Sequence, residues 1–366
     1  MHIAVLTSSR ADFGIYLPLL KKLSSDDYFK LDIIAFGTHL EKKFGYTIDE
    51  ILDSGFEVKY QIKTAPKGDT PENIAYSIGE TIKKFSEFWS DKFFDLIFAL
   101  GDRYEMFAAV SAASPFSLRI AHIHAGETTL GAIDNSYRHC ISLMSEYLFT
   151  TTAEYKKRAI EITNRTNKVF NAGALSLDNL VNLKFLTKDE FRDKYKIDLK
   201  KSSILCTFHP ETISYEKNKT YILELIEALK VLNEKYQIII TMPNADTMGL
   251  MIRDELIDFA RDRKKVFLVE SMGMKDYLSC MKYCSFMLGN TSSAFVEASF
   301  FPKPVINLGE RQSGRIQTPN IKTVKIEKND IITAVKKIEN KEKLNKTDIY
   351  GNGHAAEAII NILKKL

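Results

Sequence analysis

Met1-His2-Ile3-Ala4-Val5-Leu6-Thr7 runs straight into Ser8-Ser9-Arg10-Ala11-Asp12. The apolar part is much shorter than the core of a secretory signal, so it reads as a first β-strand whose carboxyl end opens on polar side chains. Runs of the same kind, rich in Ile, Val and Phe, recur at 31–36, 95–100, 119–124 and 147–152, then at 204–208, 237–242, 266–270, 286–288 and 304–308. Segments between them, such as 71–89 and 221–235, carry apolar residues at three- and four-residue spacing and are long enough for crossover helices. Thr70-Pro71-Glu72 supplies a cap followed by proline at the first turn. Strand and helix alternating in this way describe a parallel sheet covered on both faces. The rhythm occurs twice. The expected fold is therefore α/β, with two Rossmann-like doubly wound domains at 1–172 and 173–352 facing across a cleft that holds the chemistry. The break follows the run Lys168-Val169-Phe170-Asn171-Ala172-Gly173, and a last helix, 353–366, is free to pack back on the first domain.

Composition agrees with two ordinary folded domains. The 366 residues are 45% hydrophobic and 27% charged, and 51 basic against 47 acidic residues give a net charge of +4. No sustained basic stripe points to nucleic acid, and the Lys-rich stretch 336–346 reads as a solvated helix and loop. Cys140, Cys206, Cys280 and Cys284 form no paired framework and no zinc-ligand set, so reduced, buried thiols and no metal are expected. No apolar stretch approaches the ~20 residues that span a bilayer, so a soluble, cytoplasmic protein with no membrane partner is expected.

Ligands of open parallel sheets bind at the carboxyl ends of strands, which draws attention to the polar residues after each apolar run. These are Ser8-Ser9-Arg10-Ala11-Asp12, Gly37-Thr38-His39, Gly101-Asp102-Arg103, His122-Ile123-His124-Ala125-Gly126-Glu127 and Phe208-His209-Pro210-Glu211. Any one of them alone is equally a helix cap. Leu288-Gly289-Asn290-Thr291-Ser292-Ser293 follows a strand and is expected to open a helix, where Thr291, Ser292 and backbone N–H groups would hold a phosphate at the positive end of the dipole. Glu297 is suited to ribose hydroxyls, and Arg311 and Arg315 carry the fork of donors a pyrophosphate needs. A nucleoside diphosphate in the second domain follows. There is no GxxxxGK[ST] loop, and Gly351-Asn352-Gly353-His354-Ala355-Ala356 matches the dinucleotide fingerprint in letters only, since no clear strand precedes it. No cofactor is expected.

With these positions in hand, the chain resembles the hydrolysing UDP-N-acetylglucosamine 2-epimerases, including the bacterial sialic- and legionaminic-acid pathway enzymes, nearly end to end. The carriers are Arg10-Ala11-Asp12, Gly37-Thr38-His39-Leu40, Gly101-Asp102-Arg103, the block from His122 to His139 with Gly131-Ala132-Ile133-Asp134 and Arg138-His139, Phe208-His209-Pro210, Gly289-Asn290-Thr291-Ser292-Ser293 with Glu297, and Val305-Ile306-Asn307-Leu308-Gly309 through Arg311. The resemblance implies a glycosyltransferase-B-like fold with the nucleotide held mainly by the second domain. It also implies a reaction in which the C2 proton is removed as UDP leaves C1 by anti elimination, and water then adds to the glycal to give N-acetylmannosamine. Asp102 and Asp134 are the implied acid/base groups, Glu127 a further candidate, and His209 the group near the diphosphate or glycosidic oxygen. Arg10, Arg103 and Arg311 would neutralise the diphosphate, and His39 and Arg138 are among the implied substrate-binding positions.

One position departs from the family pattern. Many relatives read His-Ile-Glu-Gly-Gly-Glu and use the first Glu as a catalytic carboxylate, whereas this chain has His124 there. Either His124 exchanges the proton itself, or Glu127 takes over and His124 shapes the sugar pocket. The change also fits another sugar, the 2,4-diacetamido-2,4,6-trideoxy hexose on UDP or GDP. A glycosyltransferase of the same fold and a non-catalytic nucleotide-sugar sensor are the rival functions. A homodimer is expected from the resemblance and from symmetry statistics.

Overall fold

The computed structural model describes residues 1–42, 45–213, 215–243, 248–339 and 344–366. The chain divides into two compact units, the first comprising Met1–Glu127, Ile133–Asn182 and Ile349–Leu366, the second Thr128–Ala132 and Leu183–Asp348.

The first unit holds strands β1 (His2–Thr7), β2 (Lys30–Phe36), β3 (Tyr60–Ile62), β4 (Leu96–Leu100), β5 (Ile120–Ile123), β6 (Tyr147–Thr150) and β7 (Val169–Asn171). All pair in parallel, in the order β3-β2-β1-β4-β5-β6-β7. The central strands are buried from end to end, which explains their continuous apolar reading: each faces helices on both sides. The helix Pro71–Trp89 starts where the sequence predicts, with the Thr70 hydroxyl accepting from Asn73 N at 3.2 Å.

The second unit holds β8 (Ser203–Thr207), β9 (Gln237–Thr241), β10 (Val266–Val269), β11 (Phe286–Gly289), β12 (Val305–Leu308) and β13 (Ile321–Val324). They form a parallel sheet in the order β10-β9-β8-β11-β12-β13. Each sheet is doubly wound, and its order reverses once, between β1 and β4 in the first and between β8 and β11 in the second. Such reversals leave a crevice at the carboxyl ends of the two inner strands.

The first unit continues past the expected boundary at 172 because the helix Leu175–Asn182 packs on the helix Arg10–Ser24 and buries Leu175 in the unit's core. The helix Ala355–Leu363 adds Ala356, Ile359 and Leu363 to that same core, beside Tyr16, Leu19 and Leu23. Asp178 accepts from Ala355 N and Ala356 N at 2.9 and 2.7 Å, so a carboxylate from one helix satisfies the leading N–H groups of another. Of the Lys-rich stretch 336–346, residues 340–343 lie outside the described residues. Among the described residues no helix is long and apolar enough to cross a membrane.

Candidate active site

In the first unit the polar groups gather at the carboxyl ends of β4, β5 and β6, on one side of the reversal between β1 and β4. Asp102 follows β4, and its carboxylate pairs with Arg138 Nη2. Arg138 is only 2% exposed; it also donates Nη1–H to the His124 carbonyl at 3.0 Å, and Nη1 stands 3.8 Å from the Glu127 carboxylate. Glu127 is 1% exposed, accepts from the Thr151 hydroxyl at 2.9 Å and lies 3.7 Å from His124 Nδ1. His124 has a left-handed backbone, φ 68, a conformation uncommon outside glycine that clusters at functional sites. One buried guanidinium thus binds two carboxylates and the backbone of a histidine. Asp134 begins the helix Asp134–Met144, one turn before Arg138 on the same face, where the dipole favours a carboxylate.

Three expected substrate ligands have other partners. Arg138 is turned inward on Asp102 and the His124 carbonyl, so it positions the carboxylates. His39 is fully buried, with its ring nitrogens 2.9 Å from the Thr7 hydroxyl and 2.8 Å from the Thr47 hydroxyl. It braces β1 against the turn after β2. Arg103 is held in a fork by the buried Glu105, at 3.1 Å from Nε and 2.9 Å from Nη2, and burial raises the Glu105 carboxyl above the usual range despite that cation. Arg10 opens the helix Arg10–Ser24, half-buried, beside an Asp12 carboxylate that accepts from Ser8 N at 2.9 Å and Ser9 N at 3.1 Å.

In the second unit the reversal between β8 and β11 places His209 beside Asn290. The two are locked reciprocally: His209 N donates to Asn290 Oδ1 at 2.7 Å, and Asn290 Nδ2 donates to the His209 carbonyl at 2.8 Å. The Asn290 carbonyl accepts from Gln312 Nε2 at 2.8 Å and Arg311 Nη1 at 3.4 Å, and Gln312 Oε1 accepts from Arg315 Nε at 2.6 Å. Gly289 makes this closeness possible, since a Cβ there would stand 1.9 Å from the Thr207 carbonyl. The expected helix after this strand is short and broken. Ser292–Ala294 is a single tight helical turn and Glu297 opens a helix of only four residues, Glu297–Phe300, with Phe295 and Val296 buried between them. Thr291 and Ser293 instead form a hydroxyl cluster, 3.3 Å apart, with Tyr277 hydroxyl 2.6 Å from Ser293. Ser292 is exposed; Thr291 and Glu297 are half-buried. Loop 128–132 is fixed to this unit, with Leu130 N donating to the Ser313 carbonyl at 2.9 Å.

Sequence reasoning passed over Glu105, Thr151, Ser142 and the bracing role of Asn290. Each is a polar residue in an apolar setting at a strand end or on an inward helix face, and that was the available signal.

Burial pushes the imidazoles of His122 and His39 down to about 3 and about 4, below the ordinary 6.5. Folded, they bind fewer protons than the unfolded chain between those values. Their contribution is therefore fully present above pH 6.5 and is lost as pH falls through that window, at about 1.4 kcal/mol per pH unit for each histidine. Thermal unfolding of the protein is expected to shift to lower temperature from pH 7 to pH 5, and the slope is expected to flatten in His122→Gln.

A family model described as UDP-N-acetylglucosamine 2-epimerase matches residues 21–364. The GDP/UDP-N,N'-diacetylbacillosamine 2-epimerase (hydrolyzing) of Campylobacter jejuni is 35% identical over 341 residues, 93% of this chain and 88% of that protein. The UDP-N,N'-diacetylbacillosamine 2-epimerase (hydrolyzing) of Legionella pneumophila is 31% identical over 364 residues, 100% of this chain and 96% of that protein. In fold, the chain matches the crystal structure of UDP-GlcNAc 2-epimerase from Neisseria meningitidis bound to UDP-GlcNAc, with a TM-score of 0.85 at 19% identity and full coverage of both chains. The two parallel-sheet units are those of that glycosyltransferase-B-like fold.

Proposed function

Because the chain belongs to the UDP-N-acetylglucosamine 2-epimerase family, we propose that it is a hydrolysing 2-epimerase of a UDP-linked 2-acetamido sugar. The observation that carries this reading is the pair of carboxylates, Asp102 and Glu127, set around one buried guanidinium at the carboxyl ends of the neighbouring strands β4 and β5. A carboxylate accepts the C2 proton while the C2–H electrons form the C1=C2 bond and the C1–O bond breaks, so UDP leaves with that electron pair. Water then adds its hydroxyl to C1, and a proton returns to C2 on the opposite face. Asp102 and Asp134 divide the acid/base work, with Glu127 and His124 as the second acid/base pair. In the second unit, His209, Arg311, Thr291 and Ser292 hold the diphosphate, and Glu297 the ribose. No cofactor enters this scheme. A cytoplasmic homodimer is part of the proposal; free Cys140, Cys206, Cys280 and Cys284 suit a reducing compartment.

The sugar we favour is 2,4-diacetamido-2,4,6-trideoxyglucose, since both hydrolysing relatives carry its name. UDP-N-acetylglucosamine is the second reading, supported by the family description. Incubation with each UDP-sugar in D2O without an acceptor, followed by NMR, tests both. Release of UDP with a manno-configured sugar deuterated at C2 is the expected result. Turnover of UDP-N-acetylglucosamine alone overturns the sugar assignment; binding without turnover of either overturns the reaction.

Arg311→Ala is expected to weaken UDP binding by about 2 kcal/mol, as for a lost hydrogen bond to a charged group. Calorimetric titration with UDP checks it, and an unchanged affinity moves the diphosphate away from Arg311.

A further inference from the structure

The strand β5 reads Ile120-Ala121-His122-Ile123, three apolar residues and one imidazole, and all four are buried. His122 is 0% exposed and aligned with Ala99 of β4. Its Nε2 lies 2.7 Å from the Gly101 carbonyl, and its Nδ1 lies 2.9 Å from the Ser142 hydroxyl. A carbonyl only accepts, so Nε2 carries the proton, and Nδ1 accepts from Ser142. Packing alone does not call for this arrangement, since an apolar side chain would fill the site without needing two partners.

Gly101 has a left-handed backbone, φ 80, and its N–H donates to the Ile123 carbonyl at 3.0 Å, so His122 Nε2 holds the carbonyl side of a residue whose amide is already tied to β5. The peptide that joins it to Asp102 is planar, and holding the Gly101 carbonyl therefore holds the N and Cα of Asp102. Arg138 holds the other end of that residue, its carboxylate. Arg138 and Ser142 stand four residues apart on the helix Asp134–Met144 and so share one face with Asp134. A single helix row thus reaches Asp102 twice, directly through Arg138 and indirectly through Ser142, His122 and the Gly101 peptide.

We propose that His122 and Ser142 are positioning residues for Asp102, fixing the Gly101–Asp102 peptide so that the carboxylate meets the sugar at a set distance and angle. This rests on the acid/base reading of Asp102. The charged and titratable groups around His122 are Asp102, His124 and Arg138. His122 works in the neutral form, as a fixed donor, and takes no part in proton transfer.

The test compares His122→Leu, His122→Gln and Ser142→Ala with the intact enzyme and with Asp102→Asn, on whichever UDP-sugar the enzyme converts. Gln places a side-chain N–H where Nε2–H stands; Leu does not. His122→Leu is expected to lower kcat on the order of 100-fold, the scale of a small misplacement of a reacting group, with KM and UDP affinity unchanged. His122→Gln is expected to recover most of that loss, and Ser142→Ala to fall between. The acid limb of the kcat/KM pH profile is expected to move in His122→Leu and return in His122→Gln. A purely structural role predicts a different pattern, in which kcat, UDP affinity and thermal stability fall together and Gln gives no rescue. That outcome, or a near-normal kcat in folded His122→Leu, overturns the positioning role. Where His122→Leu does not fold, a normal kcat and pH profile in Ser142→Ala do the same. Normal turnover in Asp102→Asn overturns the reading of Asp102 itself, so the two failures are told apart.

Discussion

Asp102→Asn is expected to lower turnover by roughly 10²- to 10⁴-fold, the range for a lost acid/base group, while UDP affinity and thermal stability stay close to those of the intact protein. The amide has the size of the carboxylate it replaces and can still accept from Arg138 through its oxygen. Arg138 keeps the His124 carbonyl at 3.0 Å and the Glu127 carboxylate at 3.8 Å, so its charge is not stranded. What the substitution removes is the capacity to take or return a proton. Single-turnover assays with either UDP-sugar, beside calorimetry with UDP, separate the chemical step from binding. Full activity in this variant would remove Asp102 from the chemistry.

Arg138→Met is expected to fail in a different way, losing stability and activity together. Met approximates the length of the arginine stem but leaves Glu127, 1% exposed, without its nearby cation and Asp102 without its ion-pair partner. Removing one member of a buried pair costs about 3–5 kcal/mol, because the remaining charge stays desolvated. A marked fall in the unfolding temperature, with loss of turnover at temperatures where the variant remains folded, is the expected result. The additional substitution Glu127→Gln should return part of the stability without returning activity. An Arg138→Met protein as stable as the parent would show that Glu127 has other sufficient partners.

The sequence revealed the central strands because they are covered on both faces and read as unbroken apolar runs. Its reading missed the edge strands β3 and β13. Tyr60-Gln61-Ile62 and Ile321-Lys322-Thr323-Val324 are short, only partly buried and interrupted by polar side chains, so they lack the signal that β1, β4 or β8 carries. The first unit runs to Asn182, past the expected break, for a related reason. Whether 175–182 belongs to the first unit is decided by packing on the helix Arg10–Ser24, which is distant in sequence. At the site, the residue types after each strand were legible, whereas their pairings were not. His39 and Arg103 follow strands as readily as Asp102 does, and only the fold shows that the first faces Thr7 and Thr47 and the second faces Glu105. The lock between His209 and Asn290 joins residues 81 positions apart and exists only because the reversal of strand order brings β8 beside β11.

The return of Ala355–Leu363 to the first core bears on how the protein is made. Domains commonly fold as units during synthesis, the N-terminal one first. In this chain the core around Tyr16, Leu19 and Leu23 lacks Ala356, Ile359 and Leu363 until the whole of 183–348 has left the ribosome. The second unit has its complete sequence, including loop 128–132, before the first does. The first core is therefore completed by a helix that follows the whole second unit in the chain, so the unit begun first is the later of the two to have all its parts.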